Sequence, residues 1–264
     1  VYEIPEADRN AKGRAIQNLI QIPQDDKIRT IIDVPQLEDK DYVNRHCVVL
    51  CTKKGIIKKT SLADFSRPRQ NGVNAITIQD GDQLLDVSLT DGTSYVMMAV
   101  KSGRAITFSE DKVRTTGRGA IGVFGIELDE NNDEVIGMIC VPKNDMKNKQ
   151  VLVVSEKGLG KRTPLIEEIG EDVNQEELSN LLELTDENGH TKKYQLAYRI
   201  TNRGGKGVRT INITEKTGFL VGLLAVDRKD DLMITCKSGI TIRMRVEDIR
   251  EAGRRGGSSC SRKY

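Results

Sequence analysis

Arg203-Gly-Gly-Lys-Gly-Val-Arg-Thr-Ile211 is one of four segments in which a basic loop containing glycine runs into a short apolar stretch. The other three are Arg9-Asn-Ala-Lys-Gly-Arg-Ala-Ile16, Arg67-Pro-Arg-Gln-Asn-Gly-Val-Asn-Ala-Ile76 and Arg114-Thr-Thr-Gly-Arg-Gly-Ala-Ile121. Aligned on glycines 13, 72, 119 and 207, these segments recur along most of the chain. Self-similarity of this kind is typical of a repeat architecture.

A second marker closes each repeat and consists of an apolar run, a turn that ends in glycine, and another short strand. The turns are Lys53-Lys-Gly55, Lys101-Ser-Gly103, Glu156-Lys-Gly158 and Lys237-Ser-Gly239. Between the markers lie continuous apolar runs such as Phe219–Val226, a pattern that predicts strands covered on both faces. The opening glycines are 59, 47 and 88 residues apart (72 − 13, 119 − 72 and 207 − 119), so each repeat has room for four strands and one contains an insertion.

The sequence therefore predicts an all-β, propeller-like fold of four-stranded blades, because stacked blades cover a sheet on both faces. We expect one domain over residues 1–264, with repeat units at about 9–66, 67–113, 114–169 and 194–250. The insertion, at about 167–192, is acidic and has nine carboxylates and no Lys or Arg between Glu167 and Glu187. Leucines 178, 181 and 182 lie three and four residues apart, and Asn174 with Glu177 forms a capping pair, so the insertion is expected to hold one short helix.

The net charge is only +2, but the basic residues are segregated. The marker segments (9–14, 53–59, 67–69, 101–104, 114–118, 157–162, 203–209 and 237–245) hold 22 Lys or Arg and no Asp or Glu, whereas the rest of the chain has 19 basic and 39 acidic residues. Equivalent loops of a radial array fall at equivalent places, so these cations predict a basic belt. With only 4% aromatics, the belt suits duplex phosphates better than base stacking. The alternative is that basic turns keep edge strands soluble.

The sequence offers no catalytic or metal-binding constellation. Gly117-Arg-Gly-Ala-Ile-Gly122 matches G-x-G-x-x-G but precedes a strand-like run, and Gly207 stands where a phosphate loop has Ser or Thr. The five cysteines are expected to be reduced thiols, four of them in apolar strands. No apolar run has the length of a membrane span and no signal peptide is evident, so we expect a cytoplasmic protein.

Two segments of the chain resemble a known family. Arg203–Val208 is similar to the box Q-R-R-G-G-[KR]-G of the C-terminal domain of the bacterial DNA gyrase A subunit, and Val1–Ala7 followed by Arg9–Arg14 resembles the join between its first two blades. The similarity covers about residues 1–250. Asn202 stands where the box has Gln, which indicates a box-like late blade, and residues 253–264 begin like a further unit but lack strands.

The resemblance implies a six-bladed β-pinwheel, a relative of the propeller in which neighbouring blades exchange strands. About four units are complete here, with partial ends. It also implies a domain that binds and bends duplex DNA around its rim and so supports ATP-dependent negative supercoiling by the holoenzyme. The domain itself is expected to be non-catalytic and free of cofactors, with the nucleophilic tyrosine, ATP and Mg²⁺ elsewhere in the type IIA topoisomerase. Its expected partners are double-stranded DNA, the gyrase B subunit, and the rest of the gyrase A subunit, in the nucleoid-containing cytoplasm and not at a membrane.

The expected DNA contacts are the basic residues of the marker segments and the glycines of the box-like loop. They are Arg9, Lys12, Arg14, Lys53, Lys54, Lys58, Lys59, Arg67, Arg69, Lys101, Arg104, Arg114, Arg118, Lys157, Lys161, Arg162, Arg203, Gly204, Gly205, Lys206, Gly207, Arg209, Lys237, Arg243 and Arg245. Two other functions remain open. One is that of the C-terminal domain of topoisomerase IV, which binds DNA with little wrapping, and the other is a propeller-like protein-interaction scaffold.

Overall fold

The computed structural model describes residues 6–8, 10–12, 15, 26–67, 69, 72–129, 132–169, 180–185, 189–236 and 238–254 of the chain. Within these ranges the elements are almost all strands, apart from the helix α1 (Lys40–Arg45) and a few 3-10 turns. The strands are β1 Cys47–Thr52, β2 Ile56–Ser61, β3 Leu84–Thr90, β4 Ser94–Val100, β5 Arg104–Ser109, β6 Val123–Phe124, β7 Val135–Pro142, β8 Lys149–Ser155, β9 Gly160–Pro164, β10 Ile166–Glu168, β11 Leu181–Thr185, β12 Thr191–Leu196, β13 Val208–Arg209, β14 Leu220–Asp227, β15 Asp231–Thr235 and β16 Thr241–Arg245.

Each main sheet is built on an antiparallel hairpin whose turn is one of the closing markers. The hairpins β1–β2, β4–β5 and β8–β9 turn at Gly55, Gly103 and Gly158, all of which have positive φ. A Cβ on Gly103 would lie 2.7 Å from the carbonyl oxygen of Ile211 in a crossing segment. Glycine is therefore required there both for its backbone conformation and for the close approach.

The remaining strands of each sheet come from later parts of the chain. Sheet 1 has the order β3-β1-β2-β6, sheet 2 the order β7-β4-β5-β13, and sheet 3 the order β14-β8-β9. A long strand that follows the hairpin in sequence pairs with its first strand, as in Val49 opposite Ser88. The structure thus confirms the predicted all-β fold with four-stranded blades, and neighbouring repeats exchange strands, as the resemblance to a β-pinwheel implies. The limits of the four sequence units stay a prediction.

Successive sheets pack face to face, which explains the continuous apolar runs. In β4 all seven residues are buried. Val96 and Met98 pack with Val49 and other residues of sheet 1, while Met97 and Ala99 belong to a core shared with sheet 3. Because side chains alternate along a strand, β4 needs apolar residues at nearly every position to fill both interfaces.

The acidic insertion forms a small sheet of order β10-β12-β11. Leu181 and Leu182 lie in β11, so the described end of the predicted helix is a strand, and residues 170–179 lie outside the described residues. Leu182 and Leu184 pack against the same core as Tyr194 of β12. This two-residue period, set by pairing with β12, replaces the helical spacing that the leucines suggested.

The structure also bears on the expectations for the cysteines and for a membrane span. Cys51 is buried and Cys47 and Cys140 are partly buried, but Cys236 is exposed, so one of the four cysteines expected in the core lies at the surface because it follows the end of β15. The described cysteines form no disulfide with one another. In the described ranges, no helix combines the length and apolar character needed to cross a membrane.

Candidate nucleic-acid interface

The basic glycine loops lie beside the second hairpin strand of each main sheet. We call residues 114–122 loop 1, 200–207 loop 2 and 250–254 loop 3. Loop 1 leads into β6, which pairs with β2, and loop 2 leads into β13, which pairs with β5. Loop 3 makes a bridge between Glu251 and Arg162 of β9. Three sheets therefore carry an equivalent loop on the same edge.

The register of the loops corrects the alignment of glycines. Parallel bridges join Lys59 to Thr115 in loop 1 and Thr107 to Ile200 in loop 2, an offset of 85 residues (200 − 115). The same offset relates Gly122 to Gly207 (207 − 122), both of which have positive φ. A Cβ on Gly122 would lie 2.6 Å from the carbonyl oxygen of Ile57, and one on Gly207 would collide with that of Ala105. Gly122, and not Gly119, is thus the counterpart of Gly207.

The two sequence markers meet at this edge. Gly125, just after β6, donates its N–H to the carbonyl of Gly55 in the first closing turn (2.8 Å), and Thr210 makes the equivalent bond to Gly103 (2.9 Å). Gly125 in turn accepts from the N–H of Gly204 in loop 2 (2.7 Å). Opening loops and closing turns are therefore hydrogen-bonded into one continuous edge that runs from sheet 1 to sheet 2.

Four of the expected DNA-contacting cations point into the protein. Lys58, Lys59, Lys161 and Arg162 are buried, with at most 7% exposure. Lys58 Nζ donates to the carbonyls of Ala75 (2.5 Å) and Arg118 in loop 1 (2.6 Å), and Lys161 Nζ donates to those of Gly253 (3.1 Å) and Arg254 in loop 3 (2.7 Å). The ammonium groups of Lys58 and Lys161 thus hold loops 1 and 3 from beneath.

Burial makes these cations costly. It lowers the pKa of Lys58, and burial together with the nearby Arg254 charge lowers the pKa of Lys161 to about 8. Lys59 and Arg162 are compensated by carboxylates: Lys59 Nζ lies 3.6 Å from Glu110, and Arg162 Nη1 lies 2.7 Å from Glu251. The N–H groups of all four side chains therefore already have acceptors inside the protein. The sequence predicts them at the rim because charge and sequence position do not show the direction of a side chain.

Five other cations of the set are paired with carboxylates, four of them at the surface and Arg104 with only 18% of its side chain exposed. These pairs are Lys53 with Glu134, Arg104 with Asp129, Lys206 with Glu127, Arg243 with Asp231, and Arg245 with Glu247. All of the acids lie outside the marker segments, so the segregation along the sequence does not persist fully in space. Surface pairs are worth only about 0–1 kcal/mol, so a phosphate group can replace such a carboxylate at little cost.

The remaining described cations of the set have no carboxylate within salt-bridge distance among the described residues, and several are exposed. Lys12, Lys54, Arg67, Arg69, Arg114, Lys157 and Arg209 are exposed, while Lys101, Arg118 and Arg203 are partly buried. Lys101 lies over the ring of Phe219, 4.8 Å from its centroid. Arg9, Arg14 and Lys237 lie outside the described residues.

Loop 2 borders a shallow groove of about 450 Å³. The groove is lined by Gly204–Gly207 and by the cations Arg199, Arg203 and Lys206. Main-chain N–H groups that lack a bulky side chain, beside several cations, suit a phosphate. Arg199 was not expected from the sequence because it precedes the box-like segment, and Arg254 was missed because loop 3 is not followed by a recognisable strand. In the described part of the chain no three His, Cys, Asp or Glu side chains are grouped to hold a metal ion.

Comparison with known protein families gives one clear match. A family model described as the DNA gyrase C-terminal domain, beta-propeller, matches residues 1–35, 48–91, 94–142, 149–169, 197–227 and 230–259, which is more than half of the chain. The longest unmatched stretch, 170–196, contains the hairpin β11–β12 of the insertion.

Similar full-length proteins agree with this match. The DNA gyrase A subunit of Deinococcus deserti is 36% identical over 256 residues, which cover 96% of this chain and 27% of the relative. The DNA gyrase A subunit of Staphylococcus aureus is 36% identical over 253 residues, or 96% of this chain and 24% of the relative. The chain therefore spans about a quarter of the length of these relatives.

Two solved structures share the fold. A DNA gyrase A C-terminal domain is 24% identical with a TM-score of 0.71, covering 95% of this chain and 71% of that chain. The C-terminal domain of a DNA topoisomerase IV is 21% identical, also with a TM-score of 0.71, covering 94% of this chain and 65% of that chain.

Proposed function

Since this chain belongs to the family of DNA gyrase A C-terminal domains, we propose that it binds duplex DNA along the loop-bearing edge of its sheets and bends the DNA around that edge. The observation that carries the proposal is the continuous edge itself, in which basic opening loops and closing turns of successive sheets are joined by main-chain hydrogen bonds. Cations on such an edge meet phosphates at regular intervals. Binding of this kind depends on charge and little on base sequence.

The proposed contacts are those members of the expected set whose side chains are not committed inside the protein. They are Arg9, Lys12, Arg14, Lys53, Lys54, Arg67, Arg69, Lys101, Arg104, Arg114, Arg118, Lys157, Lys206, Arg209, Lys237, Arg243 and Arg245, with Gly205 and Gly207 offering main-chain N–H groups. Lys58, Lys59, Lys161 and Arg162 are left out because they are buried, and Arg203 and Gly204 are left out because they donate to carbonyls of the protein. Bending a site of 20–30 base pairs costs about 1–10 kcal/mol, so many contacts have to act together.

The chain's role in a larger enzyme follows from the same proposal. As part of a gyrase A subunit, it works with the gyrase B subunit, and with the remainder of its own polypeptide, in the bacterial cytoplasm. It takes no cofactor and performs no chemistry of its own. The DNA-cleaving tyrosine, ATP and Mg²⁺ of the type IIA topoisomerase act elsewhere in the assembly, and this chain presents the bent DNA for negative supercoiling.

The test is ligation of nicked circular DNA with the chain bound, followed by measurement of the linking number. We expect a shift that grows with the amount of chain bound at low salt. In parallel, log K against log salt is expected to fall by roughly 0.9 for each phosphate neutralised. The double variant Arg67→Ala, Arg69→Ala is expected to flatten this slope by about two such steps for all DNA sequences alike.

The control is Lys40→Ala, an exposed lysine of α1 in a stretch that the family model does not match. It is expected to leave both the slope and the linking number unchanged. An absence of any linking-number shift at low salt rules out wrapping by this chain.

The topoisomerase IV domain is the competing assignment because its structure matches as well as the gyrase one does, with the same TM-score. The same assay separates the two functions. Salt-dependent binding without a linking-number shift supports the topoisomerase IV-like function, whereas binding that is independent of salt supports a protein-interaction scaffold.

A further inference from the structure

Two arginines make the same pair of hydrogen bonds at two places in the fold. Arg203 of loop 2 donates from Nε to the carbonyl of Lys112 (3.0 Å) and from Nη1 to that of Phe124 (3.1 Å). Arg254 of loop 3 donates from Nε to Ala197 (3.0 Å) and from Nη1 to Arg209 (3.1 Å). In both cases a loop is tied to the segments that flank the preceding loop.

The numbering shows that these are equivalent contacts. The acceptors of Arg254 lie 85 residues after those of Arg203 (197 − 112 and 209 − 124), which is the offset between loops 1 and 2. The two donors are 51 residues apart (254 − 203), which is the offset of the bridges that place loops 2 and 3 (251 − 200). Each arginine therefore joins its own repeat to the preceding one in the same way.

Main-chain bonds support the same equivalence. The N–H of Thr116, Thr201 and Ala252 each donate to the residue of the adjacent hairpin strand that forms the bridge, at 2.8, 2.9 and 3.0 Å. Loop 3 is also held from below by Lys161, as loop 1 is by Lys58. Residues 250–254 are thus a third copy of the box-like loop, although no strand follows them in the described chain.

We infer that Arg203 and Arg254 are positioning residues that set the distance between successive DNA-binding loops, so that the loops match the spacing of phosphates on a bent duplex. The inference rests on the proposed function. An arginine suits this task because its planar guanidinium holds two acceptors in fixed directions, which a lysine ammonium does not. The hydrogen-bond acceptors of these two guanidinium groups are carbonyls of the neighbouring repeat and not phosphate oxygens.

The test uses Arg203→Lys and Arg254→Lys, which keep the positive charge and remove the fork. The control is Arg228→Lys, an exposed arginine in the turn between β14 and β15, outside the loops. In the ligation assay we expect both loop variants to lower the linking-number shift per bound chain at least about twofold, while the slope of log K against log salt stays that of the unmodified chain. The control is expected to change neither.

A second measurement needs no DNA. The N–H of Gly204 donates to Gly125 and the N–H of Glu127 donates to Gly205 (3.0 Å), so both amides report the contact between loop 2 and the segment that follows loop 1. Arg203→Lys is expected to speed hydrogen exchange at these amides about tenfold and to leave amides of the β1–β2 hairpin unchanged.

The hydrogen-exchange measurement and the DNA assays can fail independently of each other. Unchanged exchange at Gly204 and Glu127 overturns the positioning role, whatever the DNA does. A linking-number shift per bound chain that stays intact in Arg203→Lys also overturns it. If the unmodified chain gives no linking-number shift, wrapping fails as a function, and the exchange measurement still decides whether the arginines fix the spacing of the loops.

Discussion

Replacing Gly122 by alanine is expected to damage the fold, whereas the same change at Gly119, three residues earlier in loop 1, is expected to be harmless. Gly122 has φ of +109°, which side chains with a Cβ adopt only at a cost of about 1–3 kcal/mol. Its new Cβ would also lie 2.6 Å from the Ile57 carbonyl oxygen and 2.9 Å from Ile56 Cγ2. Relief of such crowding costs about 1–3 kcal/mol more, so the total is roughly 2–6 kcal/mol.

Gly119 offers the matched comparison. A Cβ there would have no atom within 4 Å, and its φ is not among the positive ones of the described residues. Alanine at a compatible position reduces the freedom of the unfolded chain and stabilises by about 0.4–1 kcal/mol. Gly119→Ala is therefore expected to be neutral or slightly more stable than the unmodified chain.

Urea unfolding gives the two free energies, and thermal unfolding gives a second measure, at about 2–4 °C per kcal/mol for a chain of this size. The loss of unfolding free energy in Gly122→Ala is limited, because only two residue pairs, Ile56 with Phe124 and Ile57 with Val123, join β6 to β2. A strained loop can detach from β2 once these pairs are lost. Equal losses at both glycines, or a change below about 0.5 kcal/mol at Gly122, refute the structural alignment of the loops.

Three further predictions concern buried groups. The pKa of Lys161 is about 8 in the fold and about 10.4 in an unfolded chain, so the unfolded chain binds more protons between these two pH values. The free energy of unfolding, relative to that of Lys161→Met, is therefore expected to rise from about pH 8 to about pH 10. A difference between the two proteins that does not change with pH contradicts this. Glu110 is fully buried and accepts from Ser94 N–H (3.0 Å) beside Lys59, so Glu110→Gln is expected to cost about 3–5 kcal/mol in urea unfolding, and a loss under about 1 kcal/mol counts against a structural ion pair. In a Cys260→Ser background, the exposed Cys236 is expected to react first with an aromatic disulfide reagent, while Cys140, whose pKa burial raises to about 12, reacts only on unfolding; early reaction of Cys140 shows the core to be open.

The fold was predictable because its two markers are local. A hairpin turn such as Lys101-Ser-Gly103 needs positive φ at its glycine, and a strand such as β4 needs apolar residues at nearly every position, so both leave a direct trace in the sequence. The exchange of strands leaves no such local trace and was expected only from the resemblance to the family. Val49 and Ser88 pair across 39 residues (88 − 49), and their register depends on how neighbouring sheets stack.

The alignment of Gly119 with Gly207 and the prediction of a helix in the insertion were wrong for related reasons. Gly119 and Gly122 lie three residues apart in the same loop and each precedes an apolar residue, so only the bridge between Lys59 and Thr115 distinguishes them. In the insertion, leucines at 178, 181 and 182 fit a helix, but Leu182 and Leu184 fit a strand equally well. Pairing with β12 decides between these patterns, and pairing is a tertiary interaction that local spacing does not contain.

The direction of the basic side chains limits how strongly DNA binding can depend on salt. If all 22 cations of the marker segments met phosphate, log K would fall with log salt at a slope of about 20, at roughly 0.9 per contact. Four of them are buried, which leaves 18 (22 − 4) and a slope no steeper than about 16. Five of the 18 already face carboxylates, and each of these acids takes up a counterion when its cation moves to a phosphate. Arg203 donates to protein carbonyls, so the remaining 12 (18 − 5 − 1) set a slope of about 11. A measured slope near 20 requires Lys58 and Lys161 to leave the carbonyls that they hold, and therefore contradicts a rigid loop edge.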